Sequence, residues 1–397
     1  MTFWQRFLRK EVPPIEEPEV APWSSPADGI AHSLRTFGLG LLQRECSQRP
    51  KENVFISPLS IFLALTMTEN GAGGATKAAM RRALALPSYP SEEAINDSVF
   101  AHIKSLRSQS GIELAIANAL WVDTRSTIAP EFVRVCQEIY KAAVRTLDLN
   151  QPSAAIVINE WVAEKTRGKI PRIVTPEVIA SSPAVISNAV YFKGKFRNPF
   201  RKEATEPRTF YLADRREKLV PMMRQSGLLG SYRSGKRFEA AVLHYKGSNT
   251  ALYLLLPSKG SGPEETLSED SLQALLVAEE SVELDLSMPR FTIDFSSHLK
   301  ESLTQMGMGI AFQYPGADFA PLGSPLFFIG EVIHKTLLGV DEEGTVAAAA
   351  TGIEWLDGAT VPEIHKTKTL VFDRPFAVLL KDTVNGAILF AGVIYEP

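Results

Sequence analysis

An α+β fold is what this sequence predicts, on three observations. Helical spacing of apolar residues dominates the first half of the chain and strand patterns the second, with none of the regular strand–helix alternation that winds a parallel sheet. One composition break separates a Pro/Glu-rich leader from the rest, and neither an internal repeat nor an equally clear second linker follows it. The 397 residues are 45% hydrophobic with 26 Gly and 26 Pro, an ordinary globular composition in a chain long enough to bury a large core.

The leader comes first. Residues 11–28 read EVPPIEEPEVAPWSSPAD, and five prolines with four glutamates favour an extended, solvated chain, since proline fixes φ and removes a donor. Residues 1–29 are expected to be disordered and 30–397 to form one packed domain. The opening MTFWQRFLRKEV carries Arg6, Arg9 and Lys10 where a secretion signal needs an unbroken apolar core, and no stretch reaches the roughly 18 to 20 apolar residues of a membrane span. A cytoplasmic location is the expectation.

Ser57-Pro58 offers an N-cap followed by proline at the first helical position, and residues 59–67 continue that helix. Ala129-Pro130 opens another, with Phe132, Val133, Cys136, Ile139 and Tyr140 at helical spacing. Residues 156–166 make a third, ended by Gly168. Residues 185–192 are apolar throughout, the mark of a strand buried on both faces, and 251–256 are a second such run. Val282, Leu284, Leu286 and Met288 alternate with Glu283, Asp285 and Ser287, and Phe291, Ile293 and Phe295 continue the alternation after Pro289-Arg290. Residues 331–340 and 370–380 read as strands, and 387–395 closes the chain.

Signatures of catalysis are missing. There is no GxSxG and no HExxH, and the six histidines are scattered. GAGGATK at 71–77 has the glycines of a phosphate loop, but the GxxxxGK[ST] spacing fails and a helix, not a strand, precedes it, so it reads as a loop between helices. Cys46 and Cys136 both fall on helical patterns. They read as two buried or partly buried thiols, with a single bridge as the alternative. Neither belongs to a metal-ligand cluster, so neither metal nor cofactor is expected. A net charge of −3 gives no strong pull toward nucleic acid or anionic lipid.

The unusual stretch is 341–369, DEEGTVAAAATGIEWLDGATVPEIHKTKT. Three acidic residues and a glycine lead into TVAAAAT, where nearly every side chain is small and uncharged, and turn formers follow. A loop this long in an ordered domain is usually functional. Alanine favours helix, but this segment has no apolar stripe with which to dock as one. Small side chains at alternate positions, Thr345, Ala347, Ala349 and Thr351, would instead let it enter a sheet above a packed core.

EEGTVAAAAT closely resembles the reactive-loop hinge of inhibitory serpins. NVFISPLSI at 53–61, SNAVYFKGKFRNPF at 187–200, VPMM at 220–223, EVIHKTLLGVDEEGT at 331–345 and LVFDRPFAVLLKDTVNGAILFAG at 370–392 are similar to further serpin segments, in order, from about residue 30 to the end. The resemblance implies a single domain of three β-sheets with eight or nine helices and an exposed reactive-centre loop at about 342–366, monomeric and not an enzyme. It implies a partner, a serine protease, trapped covalently: the protease cuts the loop, forms an acyl-enzyme, and is carried off as the hinge inserts into the central sheet. The hinge is Glu342, Glu343, Gly344, Thr345, Val346, Ala347, Ala348, Ala349, Ala350 and Thr351. Val346 stands where an acidic residue is common. Insertion of 344–358 would span about 50 Å.

The same resemblance assigns Ser57, Ser60, Asn188 and His334 to a polar cluster that controls sheet opening, and Arg290 with Glu342 to a salt bridge at the sheet's top. Phe196 replaces the usual tryptophan. Counting from the hinge places the reactive bond at Gly358-Ala359, while counting back from Arg374-Pro375-Phe376 lands near Thr360-Val361. Small residues there suit an elastase- or subtilisin-like target, and no Arg or Lys lies between Thr345 and Ile364. Asp357-Gly358, cut by an Asp-specific protease, is an alternative. A non-inhibitory carrier or chaperone is another, and family habit makes an extracellular location the alternative to the cytoplasm.

Overall fold

Local sequence sets most helix starts in the computed structural model, which describes residues 26–86, 91–180, 182–277, 282–323, 327–345 and 366–397. Among these residues the α-helices are α1 (Pro26–Gln48), α2 (Pro58–Glu69), α3 (Gly74–Ala83), α4 (Glu92–Arg107), α5 (Pro130–Glu138), α6 (Pro152–Lys165), α7 (Pro176–Ile179), α8 (Glu269–Ala274) and α9 (Lys300–Leu303). Proline occupies the first turn of α2, α5, α6 and α7, where its missing N–H costs nothing. Helix α6 thus begins four residues earlier than the apolar pattern suggested. It is closed as expected by Gly168, whose φ is +74°. The 71–77 stretch is only partly a loop, because Gly74 already opens α3.

Three sheets carry the rest. The first, in spatial order, is β1 (Val54–Ile56), β16 (Ile388–Ile394), β15 (Phe376–Asp382), β9 (Thr250–Pro257), β8 (Phe238–His244) and β7 (Tyr232–Gly235). The second is β14 (Lys366–Val371), β10 (Val282–Pro289), β6 (Glu217–Leu229) and β5 (Glu206–Tyr211). The third is β11 (Phe291–His298), β12 (Glu331–Asp341), β13 (Gly344–Thr345), β4 (Ala184–Lys195), β2 (Ile112–Asp123) and β3 (Ala143–Leu147).

The single strand expected over 370–380 is two strands in two sheets, β14 and β15. Pro375 has no N–H to give a ladder, and the rings of Phe372 and Phe376 meet 5.4 Å apart in the core, bending the chain between them. Cys46 and Cys136 are both free, so the bridge alternative falls; burial pushes the Cys46 thiol up to about 12 and raises that of Cys136 as well.

The third sheet has a core on each face. Its inner face, with Ile186, Val190, Phe192, Leu338 and Val340, packs on α2 and the first sheet. Its outer face is covered by α6 and the segment after it, where Ile158, Trp161, Val162, Ile173 and Val174 meet Trp121, Val185, Ala189 and Ile333. Burial on both faces explains why β4 reads as one continuous apolar run.

Candidate functional site

The third sheet is split at one end. Along 331–337, β12 pairs directly and in parallel with 185–191 of β4, which sets His334 opposite Asn188. Above that, β13 enters between them, antiparallel to both: Gly344 faces Asp341 and Lys195, and Thr345 faces Val340 and Gly194.

Three local features turn the chain into the split. Gly344 has φ +149°, and a Cβ there would lie 2.2 Å from the Gly194 carbonyl oxygen, so glycine is required. Asp341 Oδ1 accepts the backbone N–H of Glu343 at 2.9 Å and of Gly344 at 3.1 Å, fixing the turn. The amides of Phe196 and Phe200 donate to the carbonyls of Glu343 and Glu342 at 2.9 and 2.8 Å. Thr345 is fully buried, its hydroxyl 2.5 Å from that of Tyr245. Tyr245 is itself buried, stacked on Phe196 at 5.2 Å and edge-on to Phe192 at 5.1 Å. Phe196, the departure from tryptophan, is therefore part of the aromatic wall behind the hinge.

Arg290 and Glu342 do meet at the top, but at 3.8 Å, with the arginine half exposed. The buried Glu342 carboxylate has a closer partner in Thr205, whose hydroxyl donates at 2.8 Å. Glu343 pairs with Lys202 at 2.9 Å. Together with Pro207 and Pro221 these groups line a cleft of about 720 Å³.

Lower down, Ser57, Ser60, Asn188 and His334 converge in one buried network. His334 Nδ1 lies 2.5 Å from Asn188 Oδ1 and Nε2 accepts the Ser57 N–H at 3.0 Å, which fixes a neutral ring protonated on Nδ1. Burial drives the His334 pKa down to about 3, so the ring stays neutral. Asn188 donates to Ser60 Oγ at 2.5 Å and to Asn118, and Ser57 Oγ donates to the Leu389 carbonyl at 2.6 Å. The His334–Asn188 bond crosses the β12–β4 seam, so the strands cannot part there without breaking it.

Asn118, Tyr245 and Thr205 belong to this constellation and were missed in the sequence. Asn118 had a signal, a lone amide inside an apolar run on β2. Tyr245 and Thr205 had none, being brought in by the first sheet and by the turn before β5. Val346, Ala347, Ala348, Ala349, Ala350 and Thr351, and the bond candidates Asp357, Gly358 and Ala359, lie outside the described residues. Among the described residues no helix is long and apolar enough to cross a membrane, and no group of three or more His, Cys, Asp or Glu side chains could hold a metal ion.

Comparison with known proteins matches residues 32–397 to the family model described as serpin (serine protease inhibitor). The chain is 34% identical to a serpin-like protein of Thermococcus kodakarensis over 93% of its own length and 86% of that relative's. It is 32% identical to the leukocyte elastase inhibitor of Bos taurus, over 91% and 97% of the two chains. The thermophilic serpin tengpin, in its native state, superposes with a TM-score of 0.82 over 96% of each chain at 27% identity.

Proposed function

The chain belongs to the serpin family, and from that premise we propose that it is an inhibitor of serine endopeptidases, consumed by one cut in its own loop. The observation that carries this reading is the split itself. Strand β13 already sits antiparallel between two strands that elsewhere pair in parallel. Extending it replaces parallel pairing along that seam by two antiparallel ladders, the slightly better arrangement, and adds backbone hydrogen bonds on both sides.

Insertion that continued the register of β13 would place the loop residues in order. Each residue further along the loop meets one residue earlier on β12 and on β4. Ala347 and Ala349 would face the inner core beside Phe192 and Val190, where larger side chains would overpack. Thr351 would arrive between His334 and Asn188 and offer a hydroxyl to the groups whose bond it breaks. Trp355 would end the strand, beside Gly330 and Ala184, because β12 and β4 both end there. That is an insertion of 344–355, about 40 Å, three residues shorter than the 344–358 that the resemblance implied. Cleavage at Gly358-Ala359 would leave Leu356, Asp357 and Gly358 as the tether to the acyl-enzyme. The target's own nucleophile does the chemistry, and the inhibitor supplies the strand and the displacement.

The test is incubation with elastase-, subtilisin- and trypsin-like proteases and an Asp-specific one. Denaturing gels and N-terminal sequencing of the released peptide follow. A complex that survives denaturation with an elastase- or subtilisin-like enzyme, and a peptide starting at Ala359, is the expected result. Clean turnover by every enzyme would remove the inhibitory reading.

A further inference from the structure

We propose that Lys381 is a nucleophilic amine, a site at which small aldehydes form an imine with Nζ. The proposal stands apart from the insertion reading and concerns the first sheet. Lys381 lies on β15, opposite Ala251 on β9 and Ile388 on β16, and is only 5% exposed. A lysine is rarely so buried without a carboxylate beside it.

The two nearby carboxylates are engaged elsewhere. Asp382, the next residue along β15, alternates onto the other face of the sheet. There it accepts the Gln109 amide at 2.7 Å and the backbone N–H groups of Val384 and Asn385 at 2.9 and 3.1 Å. Glu269 at the start of α8 is held by Arg35 of α1 at 2.9 Å. Among the described residues no hydrogen bond or ion pair reaches Lys381 Nζ; its neighbour is the Tyr253 ring on β9, with the centroid 5.8 Å away.

Burial disfavours the charged form, and the Arg35 guanidinium adds to that. Together they outweigh Asp382 and Glu269 and hold the amine below its ordinary range. Lysines desolvated among apolar groups, or set beside another cation, are the ones that attack carbonyl carbon near neutral pH. The end of this side chain can be reached. Gly386 in the hairpin turn is partly exposed, and a Cβ there would stand 3.9 Å from Lys381 Cε, so the missing side chain leaves a way in for a small reagent. The neutral amine adds through its lone pair to the carbonyl carbon, and a proton passes from nitrogen to oxygen. The carbinolamine then loses water and leaves a C=N bond. An uncharged aldehyde enters, water departs, and the neutral imine suits the flanking Ala251 and Ile388.

The experiment treats the full-length protein with acetaldehyde from pH 6 to 9, with cyanoborohydride to reduce the imine to a stable alkylamine, and reads each lysine by peptide mass mapping. The neutral fraction of an amine changes about tenfold per pH unit below its pKa. At pH 7 Lys381 is therefore expected to react at least about tenfold faster than the exposed Lys51, Lys104 and Lys366. Its rate should level off before pH 9 while theirs keep climbing, and its advantage should vanish in urea. Arg35→Gln, which removes the neighbouring cation, should move the levelling point to higher pH. A Lys381 labelled no faster than those three at pH 7, or labelled only in urea, overturns the proposal.

Discussion

At the mouth of the seam between β4 and β12 the gap is already filled, whereas at its foot the two strands still hold one another. The mouth is closed by backbone pairing to Gly344 and Thr345 and by stacked rings, Phe196 on Tyr245. The foot is closed by aimed polar bonds, His334 to Asn188 and Ser57, in a buried site. Stacked rings tolerate small shifts, but buried polar groups that lose a partner are costly. The difference teaches where control resides. On the proposed insertion, β13 marks where the strand would enter at the mouth, and the polar cluster at the foot would resist its advance.

The strongest way to break this comparison is to block the mouth. Thr345→Arg would force an unpaired charge into the buried position beside Tyr245, which costs several kcal/mol. The ratio of trapped complex to cleaved product should fall at least ~100-fold, read on denaturing gels; an unimpaired ratio would mean that the loop does not enter here.

The next largest effect lies at the foot. Asn188→Ala strips His334 of its Nδ1 partner, and the lost network should lower the stability of the intact protein by about 2–4 kcal/mol in urea denaturation. Spontaneous loop insertion on warming should become faster, because the bond across the seam is gone.

Acid should probe the same lock. His334 titrates near 6.5 in the unfolded chain and about 3 when folded, so between these values the unfolded state binds the extra proton. The stability this residue confers is complete above pH 6.5 and is lost as pH falls from there toward 3, by on the order of a few kcal/mol. Urea midpoints against pH, with His334→Gln flattening this part of the curve, provide the check.

The smallest effect belongs to the sheet's top. Arg290→Ala should cost under about 1 kcal/mol, since its contact with Glu342 is long and partly solvated. Thr205→Val should cost at least as much, about 1 kcal/mol, because it removes the closer partner of a buried carboxylate.

The sequence made the fold class legible because alternation and proline placement are local. Val282 to Leu286 alternates in the structure as it does on paper, although Ser287, expected on the exposed face, is buried, and Ser57-Pro58 caps α2 as its chemistry demands. What was not legible is non-local. Nothing in 370–380 says that Phe372 and Phe376 must meet, so the change of sheet at Pro375 was hidden. Ser57, Ser60, Asn188 and His334 were found through a resemblance. That they share one network with Asn118 is set by the register between β2, β4 and β12, which only the folded chain displays. Tyr245 was invisible for the same reason: its partner Thr345 lies 100 residues away.

The central claim, that the loop advances down this seam once cut, is tested most directly by melting the protein before and after a single cleavage within 356–361. A cleaved protein whose thermal midpoint rises by tens of degrees is the expected result, because the severed strand can then complete the sheet. An unchanged or lowered midpoint would contradict it, since the cut loop would then be a loose end and not the missing strand.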